Sequence, residues 1–447
     1  MGSLNNIVNV SITRQTSVPS RAGFGTGAFV SEDATFTTAT KSYASYTEMS
    51  EDATVGADSL AFGAVYFGQQ VAPTKLTVIK EGTGASQVGE LVFDAPLVDS
   101  NEIEIKIDGA EIAGSPVTYA TSNADTLTAI AAAIQAEAGV TTAVSDGTDT
   151  ITITFADEFA HTVEATVTLG ASQAGAEYAD TTPAATSIVA GLVAAVNENN
   201  DWYAICIHSR TAGEILAVAS WVQAQGSANP KLFFAQSSDA AILTAATTDV
   251  ASVLQAKASF RTSIWYHADD AEYLDGGVIG GQLPSDAGSI TWAYKTVSNV
   301  TVGTLTSGEK AYCHSKACNT YDTVASINIT EEGKVSDSPF EWIDVIRGVD
   351  WLQTNLQADV YTVLVNNPKV PYTTEGLALI GATVSNRLAT AQARGILSTD
   401  TKPVVVIPKI EDVPLEDKGN RVLNGVTFTG VLAGAIQKIN IAGTVTL

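Results

Sequence analysis

Polar and apolar residues alternate strictly in several short stretches of this chain. In NEIEIKIDG, Ile103, Ile105 and Ile107 share one face, and Glu102, Glu104 and Lys106 share the other. TDTITITFAD repeats the pattern with Ile151, Ile153 and Phe155. A period of two predicts half-buried strands. Between these stretches the period becomes helical. In ADTLTAIAAAIQAEAG, Leu127, Ile130 and Ile134 form a stripe, Asp125 is placed to cap the helix and Gly139 to stop it.

On either side the pattern alternates between the two periods. DSLAFGAVYFGQQVAPTKLTVIKEG reads as a helix, a proline break and a strand, and SIVAGLVAAVNENNDWYAICIHS as a helix and a strand. Helix TAGEILAVASWVQAQG, strand KLFFAQSS, helix DVASVLQAKASF and strand TSIWYHAD continue it. Strands alternating with amphipathic helices predict a largely parallel sheet covered by helices.

Two long helices follow. In SPFEWIDVIRGVDWLQTNLQ, residues Trp342, Val345, Ile346, Val349, Leu352 and Leu356 share a helical face, with Ser338 as cap before Pro339. TTEGLALIGATVSNRLATAQARG ends at Gly395, and KPVVVIP and NGVTFTGVL read as strands. Both ends of the chain alternate as well. Val8, Val10 and Ile12 do so at the start, before the glycine-rich PSRAGFGTG. Ile439, Ile441, Val445 and Leu447 do so at the finish. A terminal strand tethered by a short flexible segment invites edge pairing with another chain.

At 447 residues, with 45% hydrophobic and 16% charged, the chain can bury two or three cores. Its 23 basic and 48 acidic side chains give a formal charge of −25. A polyanion without a basic cluster is a poor partner for nucleic acid or for an anionic membrane surface. The apolar runs fall far short of the ~20 residues of a membrane span. MGSLNNIVNVSITR lacks the basic start and apolar core of a secretory signal, and Asn6 stands where a myristoylation signal needs Ser or Thr. Three cysteines, an odd number, fit a reducing compartment rather than a disulfide framework.

The charge is segregated. Residues 89–183 hold 16 acidic residues against one basic residue, Lys106, a balance of −15. Residues 331–447 hold 13 acidic and 10 basic residues, a balance of −3. The first block reads as a small β-rich unit with one helix, solvated on an outer surface. It interrupts the α/β body.

Candidate chemistry is thin. GFGTG (Gly23, Gly25, Gly27) has the look of a phosphate loop, but no helix starts behind it and no Lys-Ser/Thr pair follows. A flexible or turn-forming linker fits better. Cys313, His314 and Cys318 are close in sequence, as are Cys206 and His208, without the spacing of a zinc knuckle. Asp239, Asp269 and Asp270 follow strands, where α/β sheets bind ligands. Such carboxylates could hold Mg²⁺ or do acid–base work, but aspartate after a strand more often caps the next helix. There is no Gly-x-Ser-x-Gly elbow, and none of the histidines His161, His208, His267 and His314 sits in a catalytic context. The residues therefore predict no enzyme, no metal and no cofactor. An α/β enzyme or metal-dependent binder using Asp239, Asp269 and Asp270 is the alternative.

Residues 314–376, from HSKACNTYDT to VPYTTEG, and the ending PLEDKGNRVLNGVTFTGVLAGAIQKINIAGTVTL resemble the tail sheath proteins of contractile-tailed bacteriophages. The branch they resemble was long catalogued as a phage family of unknown function. SLNNIVNVSITRQT and NNDWYAICI fit the same branch. The resemblance covers the two ends and the interrupted body. It implies a mixed α/β sheath core interrupted by a β-rich insert, with extended N- and C-terminal strand arms. The expected divisions are an N-terminal arm and linker strand (1–40), the first part of the core (41–88), the acidic insert (89–183), the rest of the core with its tube-proximal part (184–430) and a C-terminal arm (431–447).

The implied function is structural. A helical homopolymer, built from hexameric rings around a tail tube protein, contracts by repacking its subunits. It meets baseplate and tail terminator proteins, with no direct nucleic-acid contact and no membrane insertion. The implied place is the phage tail of the virion, after assembly in the host bacterial cytoplasm. Val8, Val10 and Ile12 at one end, and Ile439, Ile441, Val445 and Leu447 at the other, would pair with neighbouring copies. Gly23, Gly25, Gly27, Gly430 and Gly434 would be hinges.

Overall fold

A computed structural model describes residues 24–169, 174–337 and 341–445. β1 (Gly27–Ser31) is buried at every position and lies inside an eight-stranded sheet. β2 (Thr40–Tyr43), α1 (Tyr46–Ser50), α2 (Ala57–Phe67) and β3 (Leu76–Lys80) follow it. β1 pairs parallel with β3, placing Gly27 opposite Leu76, and β2 closes that edge antiparallel.

The chain then leaves the sheet for β4 (Val88–Phe93), β5 (Glu102–Ile107), β6 (Ala110–Glu111), β7 (Val117–Thr118), α3 (Asn123–Gln135), β8 (Val140–Ser145), β9 (Thr150–Phe155), β10 (Val163–Leu169) and β11 (Ala176–Thr182). It returns through α4 (Ser187–Glu198), β12 (Ala204–Ile207), α5 (Ala212–Gln225), β13 (Leu232–Ser237), α6 (Val250–Ala256), β14 (Thr262–Tyr266), α7 (Leu274–Gln282), α8 (Ser307–Ser315), β15 (Cys318–Val324) and β16 (Ile327–Glu331). The strand order is β16-β15-β14-β13-β12-β1-β3-β2. The pairings from β15 to β3 are parallel, and β16 is antiparallel to β15.

Both faces of this sheet are covered. Phe29 packs on one side with Phe62 and Tyr66 of α2 and Ile279 of α7. Ala28 and Val30 pack on the other with Ile188 and Leu192 of α4 and Val218 of α5. Within the stretch expected as N-terminal arm and linker strand (1–40), β1 is thus a sheet strand packed on both faces. A strand buried on both faces carries no polar alternation, so AFV gives no period-two signal.

β4–β11 surround a core of their own. Sheets β10-β5-β6 (with β7 beside β5) and β11-β4-β9-β8 enclose Ile103, Ile105, Ile151, Ile153 and Phe155, together with Leu127, Ile130 and Ile134 of α3. The helix ends differ from the sequence reading. Ser122 is the N-cap, its hydroxyl accepting from the Asp125 N–H at 3.1 Å, because its extended backbone aims the side chain at the first turn. The helix stops at Gln135. Gly139, at φ 90°, turns the chain into β8 instead. At the base of this unit Ala85 and Ala185 form an antiparallel bridge.

The last part contains α9 (Ile343–Asn366), α10 (Thr374–Ala393), β17 (Val404–Val406), α11 (Leu415–Asn420) and β18 (Thr427–Thr429). Trp342 is the N-cap of α9, while Ser338 and Pro339 lie outside the described residues. The buried face of α9 is Ile343, Arg347, Gly348, Asp350, Trp351 and Leu352, and Val349 is exposed. The predicted apolar face is therefore rotated, because two ionic residues occupy inward positions. β17 and β18 pair only with each other among the described residues. Residues 433–445 have no secondary structure.

Candidate assembly interface

The root of α9 is bolted to the central sheet through buried charge. Asp350 is 1% exposed. It accepts from Arg261 Nη1 and Nη2 at 2.9 Å each, and from the Tyr203 hydroxyl at 2.8 Å. Burial works against the Arg261 charge, but Asp350 outweighs it and the guanidinium is held above its usual range. Burial, reinforced by Asp350, raises the Tyr203 phenol well above its usual range. One turn earlier Arg347 donates to the carbonyls of Leu283 and Ser285 at 2.7 Å each. Burial pulls it down to about 10, against the opposing charges of Tyr203 and Asp286.

α10 is fixed back onto α9. Arg387 meets Asp359 through two bonds, Nε at 2.7 Å and Nη2 at 2.8 Å. Arg387 and Arg394 lie 5.2 and 4.7 Å from the centre of the Trp351 ring. Trp351, Leu352, Val384 and Leu388 form a small core between the helices.

Beyond this platform the surface becomes apolar. Tyr361, Leu364 and Val365 at the end of α9 are more than half exposed. So are Val404 and Val406 of β17, and Phe428 of β18 is exposed as well. The tail goes furthest: Ile439 is 75%, Ile441 92% and Val445 98% exposed. The strand expected there is to pair with another copy of the chain. Alternation needs a sheet to receive it, and within one chain these residues meet none among the described residues. Leu447, Val8, Val10, Ile12 and Gly23 lie outside the described residues.

The predicted hinges divide. Gly27 is no hinge. Its N–H donates to the Tyr66 hydroxyl at 3.0 Å, and a Cβ there would lie 2.8 Å from the Tyr66 ring, so the residue is glycine for close packing. Gly25 stands in a turn just before β1. Gly430 rests against Leu397, where a Cβ would come to 3.3 Å of its methyls. Gly434 has φ 60° with open space around it and does turn the chain.

Of the strand-end carboxylates Asp239 takes the capping role, at the short 3-10 turn Ala240–Leu243, whereas α7 has Tyr273 as its N-cap and Asp269 only closes a turn. Asp239 accepts from the Ala241 N–H at 2.9 Å and Asp269 from the Ala271 N–H at 2.9 Å, while Asp270 is exposed. Cys206 is fully buried in β12, and His208 pairs with Glu81 at 2.7 Å. Cys313 and Cys318 are buried, and His314 contacts the Thr320 hydroxyl at 3.0 Å. Among the described residues no three His, Cys, Asp or Glu side chains converge to hold a metal. No described helix is long and apolar enough to cross a membrane. The Arg261–Asp350 and Arg347 anchors went unseen in the sequence. Their only signal was charged residues at the inward spacing of an otherwise apolar helix.

Residues 343–402, covering α9 and α10, match the family described as E217 tail sheath protein gp31-like, C-terminal domain. The whole chain is similar in fold to a chain of the anti-feeding prophage helical sheath in its contracted state, with TM-score 0.54 at 10% identity over 98% of each chain. It is similar to a chain of the 6-fold symmetrised anti-feeding prophage baseplate, with TM-score 0.53 at 11% identity over 98% of this chain and 99% of that one. The PVC sheath complex of an extracellular contractile injection system, also contracted, gives 0.52 at 9% identity over 98% of this chain and 97% of that one. No curated protein matches the sequence. The mixed α/β fold is thus the fold of contractile sheath proteins.

Proposed function

We propose that this chain is the structural subunit of a contractile tail sheath, a non-enzymatic protein that polymerises with copies of itself. The observation that carries the reading is the sheath C-terminal match over 343–402, the segment the buried ion pair bolts to the body. The likeness in fold to helical sheath chains over nearly the full length supports it.

Assembly follows from the exposed surface. A two-stranded ribbon is marginally stable alone. β17–β18 is such a ribbon, with apolar side chains in water. The tail of a second copy, with Ile439, Ile441 and Val445 alternating, adds a strand to it, and the segment holding Val8, Val10 and Ile12 adds another. Each copy gives arms and receives arms. The contact is therefore heterologous and propagates into rings and helices rather than closing as a dimer. Hexameric rings around a tail tube, ended by baseplate and terminator proteins on a virion tail, belong to the same proposal. So does an outward-facing acidic unit at residues 89–183. Contraction is then a change of packing between two arrangements of the bodies, with the arms as tethers and no nucleotide consumed.

Deleting residues 438–447 tests this. The truncated chain should stay folded and monomeric by sedimentation while the full chain forms polymer. Equal polymerisation of both would contradict the arm's role. Asp269→Ala with Asp270→Ala should leave assembly intact, and loss of a bound divalent cation in that variant would instead support the enzyme-like alternative.

A further inference from the structure

The free part of the tail does not begin at the glycines. Val431 accepts from the Ser398 N–H at 2.7 Å, Leu397 and Leu432 form a bridge, and the Ala433 N–H donates to Ile396 at 3.0 Å. After Gly434 turns the chain, Gln437 is held twice. The Tyr294 hydroxyl donates to its carbonyl, and its side-chain amide donates to the Thr291 hydroxyl at 2.9 Å. Gln437 alone is partly buried in this stretch, between Ile436 at 83% and Ile439 at 75% exposure.

Tyr294 is an unusual residue to find there. Its backbone is left-handed, at φ 62°, a conformation that costs a bulky side chain energy. The loop imposes it. The Tyr294 N–H donates to Thr330 at 2.7 Å, and the Thr330 N–H donates to Lys295 at 2.8 Å. The ring is half exposed and adds little to the core. What the strained conformation achieves is to present a hydroxyl to the tail. Between Gly434 and Gln437 the apolar side chain of Ile436 is 83% exposed, so little packing is lost if this strap lifts.

We propose that Tyr294, Thr291 and Gln437 form a releasable clasp that sets the free length of the C-terminal arm, and so its reach toward a second copy of this chain. The inference rests on the sheath reading above and adds a control to it. With the clasp closed, the ten residues after Gln437 can reach about 33 Å at full extension. With it open, the arm starts at Gly434 and gains about 13 Å. Two hydrogen bonds at the surface are few enough to break when neighbouring bodies move apart and to reform when they close up. A fixed tether would have to choose one spacing.

The clasp can be read at Lys438, a tryptic site immediately past Gln437. Tyr294→Phe and Thr291→Val each remove one clasp bond and leave the sequence around that site unchanged. In the free full-length chain, each should speed cleavage after Lys438 about fivefold relative to cleavage after Lys409, the effect expected of one lost hydrogen bond. In polymer viewed by electron microscopy, the variants should shift at least threefold toward the packing with wider spacing between bodies. Unchanged cleavage at Lys438 would overturn the clasp. Faster cleavage with unaltered packing would overturn its control of reach. A wild-type chain that keeps Lys438 protected and never polymerises would sink the sheath reading, and the reach role with it.

Discussion

Arg261 grips Asp350 with two parallel hydrogen bonds of 2.9 Å, joining the start of β14 to the second turn of α9 in the interior. The pair ties the segment that matches a sheath C-terminal domain to the sheet behind it.

Asp350→Ala should therefore cost about 3–5 kcal/mol, because Arg261 is left charged and unpaired in the interior. Arg261→Met with Asp350→Leu should cost much less than the single change, since it removes both charges and keeps volume. Urea denaturation of the three proteins checks both. Equal stability of wild type and Asp350→Ala would contradict the joint.

Gly27→Ala should destabilise the fold by about 1–3 kcal/mol, since the new methyl meets Tyr66 at 2.8 Å and Ile279 at 3.0 Å. Arm behaviour should not change. Gly434→Ala has open space, and its effect is local, about 1 kcal/mol of backbone strain confined to the tail. Thermal melts separate the two: only the first should lower the midpoint.

His161 joins two carboxylates across the β4–β11 unit, Asp108 at 2.7 Å and Asp157 at 2.9 Å. Burial disfavours its charge, yet the two carboxylates outweigh burial and raise its pKa above 6.5. A raised histidine stabilises fully below its unfolded value and loses that contribution as pH rises through the folded one. This unit should therefore weaken as pH climbs from about 6 past the folded value. His161→Gln should flatten that slope, measured as the exchange of β5 and β9 amides against pH. An identical slope in both proteins would contradict the bridge.

Much of the α/β body and of the β4–β11 unit was legible because its signals were local. Ile103 to Ile107 and Ile151 to Phe155 alternate, and the α4, α5 and α10 stripes are plain. β1 was missed because Ala28, Phe29 and Val30 are buried on both sides and look like any short apolar run. The face of α9 was misjudged because Arg347 and Asp350 point inward, and only Leu283, Ser285, Tyr203 and Arg261, distant in sequence, make that tolerable. The tail's alternation was visible, but its binding point at Tyr294 was not. A single side chain 143 residues away in sequence leaves no periodic trace.

Negative-stain electron microscopy of the purified full-length chain, across concentration and salt, tests the central claim most directly. Tubes or stacked rings, lost when residues 438–447 are removed, are the predicted result. Uniform small particles at every concentration, even with a tail tube supplied as template, would contradict a sheath that builds itself through its arms.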